Sequence, residues 1–293
     1  MDFAIYLPLL LGLPLVASAR WIAVRRALGP AARGLTVAAL VAAAFSTWSL
    51  VLLALTLLDD LPPLAARDVP GAPEPPEPVP GPVALAAAGL LTWGAVRLAR
   101  DAYRRWDIHR RLRAAGSPHG DLLVADWTVP LAVAVPGRPG RLLVTTGLFT
   151  LLDARERQVV FAHERSHLAR RHHRLVGAVA AAAAVNPLLT GVREAVDYLV
   201  ERWADEDAAR AVGDRDLTAR TVARVALATV EPWPAATLGM SSAAAVLRVR
   251  ALGNPAPTAR RGILAGPVLL GVAGLVPAAV ATAGFVALAK AWL

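Results

Sequence analysis

Residues 153–173 read DARERQVVFAHERSHLARRHH, and the rest of the chain is understood from this stretch outward. Asp153, with Glu156 three residues on, is a capping pair that opens a helix. Val159, Val160, Ala162 and His163 continue that helix toward His173. Within it, His163-Glu164-Arg165-Ser166-His167 fits H-E-x-x-H. The i, i+4 spacing puts both imidazoles on one face, where they can share one zinc ion. Glu164 lies about 100° around the helix from His163, close enough to reach a metal-bound water as a base without competing as a ligand.

A catalytic zinc site needs a third protein ligand and one open position, and two candidates compete for that place. His173 lies ten residues after His163, the spacing of H-E-x-x-H-x-x-G-x-x-H, but position 170, where that pattern turns on glycine, is Arg170. The expectation is therefore that His173 stays on the helix and points elsewhere. Glu201 opens Glu201-Arg202-Trp203-Ala204-Asp205, far enough downstream for a second helix to return a carboxylate to the histidine pair. Asp205, one turn further on the same face, can accept a hydrogen bond from a ligand imidazole and fix its tautomer. Against this stands a plain structural reading, in which both belong to a solvated acidic face with Glu194, Asp197, Glu206 and Asp207.

Ahead of the motif helix, residues 121–125, 131–135 and 142–146 are short Val- and Leu-rich runs. They are separated by Pro130 and by Pro136-Gly137-Arg138-Pro139-Gly140, as small antiparallel strands are. Behind it, residues 175–189 are apolar but interrupted by Asn186-Pro187, which suits a buried helix or one dipping into a bilayer better than a full span.

Composition extends the reading to the whole chain. Of 293 residues 56% are hydrophobic, more than one soluble core needs, so the surplus has to face lipid. Four stretches approach the roughly 20 residues that cross a bilayer: residues 3–19, 35–58, 83–99 and 263–289. Ala17-Ser18-Ala19 looks like a leader-peptidase site, but Asp2 stands where a leader carries basic residues, so the first stretch is read as a retained helix. The chain has no cysteine, which restricts any transition-metal site to histidines and carboxylates.

The net charge of +9 comes from arginine, Lys290 being the single lysine. Arginines cluster beside apolar segments without interleaved aromatic stacking residues, which marks membrane topology and not a nucleic-acid surface. Arg20, Arg25, Arg26 and Arg33 follow the first span, Arg97 to Arg113 the third, and Arg260 and Arg261 precede the last. The positive-inside rule then makes residues 101–261 cytoplasmic and leaves both termini outside. Residues 59–82, with Gly71-Ala72-Pro73-Glu74-Pro75-Pro76-Glu77-Pro78, form an acidic, Pro-rich loop on the outer side. His109 and His119 are expected in solvent, Arg170, Arg171 and Arg174 at lipid headgroups, and Trp21, Trp48, Trp93, Trp106 and Trp292 within spans or at their ends.

Between residues 132 and 210 the sequence resembles the BlaR/MecR-type membrane metallopeptidases and, more distantly, the HtpX and CAAX-prenyl-protease group. The likeness is carried by Ala132-Val133-Ala134-Val135-Pro136-Gly137, Thr145-Thr146-Gly147-Leu148, Phe161-Ala162-His163-Glu164 and Glu201-x-x-x-Asp205. It implies one zinc ion on His163, His167 and Glu201, Glu164 as catalytic base, Asp205 behind the ligands, and peptide-bond hydrolysis at the cytoplasmic face. Two departures stand out. Position 172 is histidine where relatives often carry an acid, and with Leu293 directly after the last span the extracellular penicillin-binding sensor domain of the antibiotic receptors is not expected.

The expected architecture is a mainly α integral membrane protein: three N-terminal spans, a cytoplasmic zincin-like α+β domain of the gluzincin type with a small sheet, and a C-terminal span. The expected activity is zinc endopeptidase, with protein or peptide substrates such as a transcriptional repressor, membrane lipid as the other partner, and no nucleic acid. Ala132, Val133, Ala134 and Val135 are expected to bind substrate as an extended strand by β-augmentation. A membrane quality-control protease and a catalytically silent membrane sensor or scaffold are the competing functions.

Overall fold

A computed structural model describes residues 5–25, 27–58, 79–228, 242–256 and 274–286. The N-terminal apolar stretch forms α1 (Leu7–Leu10) and α2 (Gly12–Arg25), followed by α3 (Leu28–Leu55) and α4 (Gly81–Ala114). Three helical stretches, Leu7–Val24, Leu28–Leu55 and Gly81–Ala114, are long and apolar enough to cross a membrane. Leu85, Leu90, Trp93 and Val96 point outward from α4, as side chains do when their solvent is lipid.

These helices run beyond the apolar windows. The basic tail of α4 stays helical because Asp101 pairs with Arg105, and Asp107 with Arg110 and Arg111, at i, i+3 and i, i+4. The acidic loop expected at 59–82 falls almost wholly outside the described residues, as do Asp2, Arg260, Arg261 and Trp292. Of the last expected span, Gly274–Val286 is described, an apolar helix of 13 residues.

The sheet comprises β1 (Ser117–His119), β2 (Leu122–Ala125), β3 (Ala132–Val135) and β4 (Arg141–Thr145), in the order β1-β2-β4-β3. β1–β2 and β3–β4 are antiparallel, but β2 and β4 pair parallel. This corrects the wholly antiparallel expectation. Both faces are covered, which is why the strands read as continuous apolar runs. Leu123, Ala125, Val133, Val135 and Leu143 pack toward Leu112 and Ile108 at the end of α4, while Ala132, Ala134, Leu142 and Val144 face the side of Val160, Phe161 and Leu168. β3 therefore lies at an edge, alongside the motif helix.

Thr145 holds the end of the sheet. Its buried hydroxyl accepts from Leu131 N (2.9 Å) and Leu148 N (3.3 Å) and donates to Val129 O (2.7 Å). A Cβ at position 147 would run into the Thr128 carbonyl, so the Thr-Thr-Gly-Leu sequence is dictated by this crowded corner. It starts α5 (Thr146–Leu151).

α6 (Ala154–Ala169) opens with the expected capping box, Asp153 and Glu156 exchanging side-chain and backbone hydrogen bonds at 2.9 Å. It ends earlier than expected. Arg171 takes a left-handed conformation (φ 55°, ψ 42°), and a new helix, α7 (His172–Val185), begins at His172. α7 packs against α3 and α4. Asn186 then stops it: its side chain accepts from Leu188 N (3.1 Å) and donates to Ser46 Oγ on α3 (3.0 Å), so the interruption before Pro187 is also an anchor.

α8 (Thr190–Val212) returns beside α6 and is followed by α9 (Arg215–Ala228), α10 (Ser242–Leu252) and α11 (Gly274–Val286). The largest core joins α2, α3, α7 and α8. It is built from small side chains such as Ala31, Ala39, Ala42, Ala182, Ala183 and Ala195, which let helix axes approach closely. At its lower edge a Cβ at Gly29 would meet the Trp203 ring at 2.6 Å. The helix expected to carry Glu201 is thus packed directly on α3, one of the helices long and apolar enough to cross a membrane.

Candidate metal centre

α6 and α8 lie side by side, and the i, i+4 pair of each helix faces the other. His163 Nε2 and His167 Nε2 are 3.1 Å apart. Glu201 Oε2 lies 3.5 Å from His163 Nε2, and Glu201 Oε1 lies 3.5 Å from His167 Nε2. Each imidazole nitrogen thus faces a different oxygen of the one carboxylate. The donor chemistry fits zinc: two imidazole nitrogens and one carboxylate, all within 4.8 Å of one another. Glu201 Oε1 is buried and lacks a hydrogen-bond partner, the condition of a group arranged for a cation.

The surroundings prepare these donors. Asp205 Oδ1 accepts from His163 Nδ1 at 3.0 Å, so the proton that a neutral His163 keeps sits on Nδ1 and its Nε2 is the atom that faces His167 and Glu201. Glu201 and Asp205 are 7% and 1% exposed, Glu206 is in a buried two-pronged pair with Arg215 (2.6 and 3.0 Å), and Asp207 takes Ser166 Oγ and Arg170 Nε. The solvated acidic face is therefore a buried polar seam, with only Glu194 left substantially in solvent.

Glu164 is directed toward the sheet, where its Oε2 accepts from the Ala134 N–H of β3 at 2.8 Å. That amide looks away from β4, toward the motif helix. His173 is exposed and takes no part in the cluster. His109 is half-buried, and His119 sits on exposed β1.

Two residues escaped the sequence reading. Arg248 of α10, 4% exposed, reaches Glu201 Oε2 at 2.9 Å and both Asp205 oxygens at 2.6 and 2.7 Å. The signal was an arginine inside the apolar run Val246-Leu247-Arg248-Val249, but no periodicity says which acids it meets. The second is His172, 1% exposed, with its Nδ1 3.1 Å from His167 Nδ1.

Burial and these charges separate the protonation states of the metal-free protein. Burial opposes charge on His163, but Asp205 and Glu201 outweigh it and raise its pKa to about 10. Burial lifts Glu164 to about 7 and lowers His167 to about 3. Burial also works against the Glu201 and Asp205 anions, yet Arg248 and His163 hold both below the usual carboxylate range. Three carboxylates of different proton affinity, two imidazoles and one fixed guanidinium thus converge between α6, α8 and α10, beside the β3 edge of the sheet.

Residues 99–198 match the model of peptidase family M48, a family of metalloproteases. The matched stretch holds the sheet, α6 and α7 and stops three residues short of Glu201. No curated protein and no solved structure shows a significant match to the chain.

Proposed function

We propose that this chain is a membrane-bound zinc endopeptidase that cuts protein or peptide substrates at the cytoplasmic face. The observation that carries the reading is the convergence of His163, His167 and Glu201, with one donor atom from each within 4.8 Å of the others, beside Glu164. The family match over residues 99–198 supports it, and the Thr145-Thr146-Gly147-Leu148 and Glu201-x-x-x-Asp205 sequences support the BlaR/MecR-type likeness. The arginine-rich flank of α4 supports the cytoplasmic placement of the active region, with both termini outside.

His163, His167 and Glu201 would hold the ion, which when bound supplies Lewis acidity toward the scissile carbonyl and the attacking water. Glu164 takes the water proton on its carboxylate and gives it to the departing amine. Asp205 keeps the Nδ1 proton of His163 in place, and Arg248 stops Glu201 and Asp205 from repelling each other. Ala132 to Val135 offer an open edge to an extended substrate, with Ala134 N–H and Glu164 meeting where such a strand would lie. A repressor is a regulatory substrate of this kind. Stabilisation of one protein on loss of activity would favour that role, and stabilisation of many would favour quality control.

Detergent-purified wild type is expected to hold about one zinc ion per chain, with Glu201→Ala losing it and His173→Ala keeping it, read by elemental analysis. No zinc under metal-replete conditions refutes the enzyme and promotes the silent sensor. Loss with His173→Ala but not with Glu201→Ala reassigns the third ligand.

Zinc binding should also release a proton. His163, raised to about 10, is protonated across the neutral range and must be neutral to ligate. Apparent affinity is therefore expected to rise about tenfold per pH unit and to level off above the His163 pKa. Calorimetry in buffers of different ionisation enthalpy checks this, and an affinity independent of pH across the neutral range contradicts it.

A further inference from the structure

We propose that His172 is a positioning residue that sets the tautomer of His167, so that His167 turns its Nε2 lone pair to the metal. The inference rests on the zinc reading above and assigns one more residue to it.

On an uninterrupted α-helix a residue five places after His167 would sit about 140° away around the axis, out of reach. The left-handed turn at Arg171 breaks the helix there and brings His172 back onto His167, the two Nδ1 atoms 3.1 Å apart. A non-glycine residue in that conformation costs about 1–2 kcal/mol, so the packing around it must hold the turn.

Chemistry decides the direction of the bond. Two facing ring nitrogens 3.1 Å apart need one proton between them. A metal-ligating imidazole is neutral and carries one N–H, as does the neutral ring that faces it. If His172 donates, the His167 proton sits on Nε2, where it blocks ligation. If His167 donates from Nδ1, its Nε2 is free for the ion and His172 acts as acceptor, its own proton on Nε2. His172 Nε2 is buried with no hydrogen-bond partner, so the ring makes its one polar contact through Nδ1. The ring is held in place by Trp203, 5.0 Å away between centroids, and Trp203 is wedged against Gly29 of α3. The two ligand histidines thus have unlike supports, an aspartate for His163 and a neutral imidazole for His167.

The test uses the full chain in detergent with His172→Phe, His172→Asn and His172→Gln. Zinc affinity is read by chelator competition, and site geometry by the visible spectrum of the cobalt-substituted protein. The asparagine oxygen is two bonds from Cβ, as Nδ1 is, while the glutamine oxygen is three bonds away, as Nε2 is. Phe and Gln are expected to weaken zinc binding about 10–100-fold and to alter the cobalt spectrum. Asn should retain wild-type affinity to within a few-fold, and its spectrum. Equal loss in Asn and Gln would mean that His172 only fills space, and wild-type affinity in Phe would mean that it does nothing for the metal. Either result overturns the proposal while leaving the zinc site standing. A wild type without metal overturns both. If the Phe variant does not fold, the Asn–Gln contrast decides alone.

Discussion

Glu164→Gln is expected to keep zinc at the wild-type stoichiometry and to lower kcat by about 10²–10⁴-fold, the range for loss of a positioned general base. The amide keeps the shape of the carboxylate, and its oxygen can still accept the Ala134 N–H that now lies 2.8 Å from Glu164 Oε2. What it loses is the ability to take a proton, an ability poised by burial, which brings Glu164 to about 7. The sign follows directly: the base works when deprotonated, so activity carried by Glu164 falls as pH drops through that value. Cleavage of a fluorescently labelled unfolded protein, measured with zinc content on the same samples, tests both halves. Wild-type turnover in the variant would remove Glu164 from the chemistry, and loss of zinc would show that it supports the ion instead.

The second large effect is expected at Arg248. Its guanidinium is buried against two buried carboxylates, and removing one partner of such an arrangement leaves uncompensated charge at a cost of about 3–5 kcal/mol. Arg248→Leu should lower the stability of the metal-free protein by that order. Zinc, binding the folded form alone, should recover part of the loss. Denaturant unfolding with and without zinc reads the difference. Arg248→Lys should fall between, because a single ammonium cannot span Glu201 and both Asp205 oxygens as a planar guanidinium does. A change below about 1 kcal/mol in the metal-free leucine variant would show that solvent or protonation already satisfies the carboxylates.

Much of this molecule was legible before any coordinate. The capping pair Asp153–Glu156, the H-E-x-x-H face and the Glu201–Asp205 pair are all local periodicities, and a helix turns local spacing into common facing without reference to the rest of the fold. The apolar stretches behaved likewise, since length and hydropathy alone make a helix able to cross a membrane. Where the reading slipped, the deciding contact was distant. β2 and β4 pair parallel because β3 lies on the far side of β4, a choice of neighbour that strand composition does not encode. The helix after His167 was expected to run on without a glycine, but it ends at Arg171, which takes a left-handed conformation that its own chemistry disfavours.

By itself, then, the sequence determined the spacing of the candidate donors on their helices and the apolar stretches long enough to cross a membrane, because both depend on residue type and short spacing. The tertiary structure alone decided which groups complete the centre. Arg248 lies 47 and 43 positions from Glu201 and Asp205 on a helix whose pattern names no partner, and His172, not His173, turns inward by virtue of one left-handed residue. Contacts of that kind depend on how helices close over a shared core, where burial penalises each lone charge and strengthens each interaction between charges, and no window along the chain contains that information.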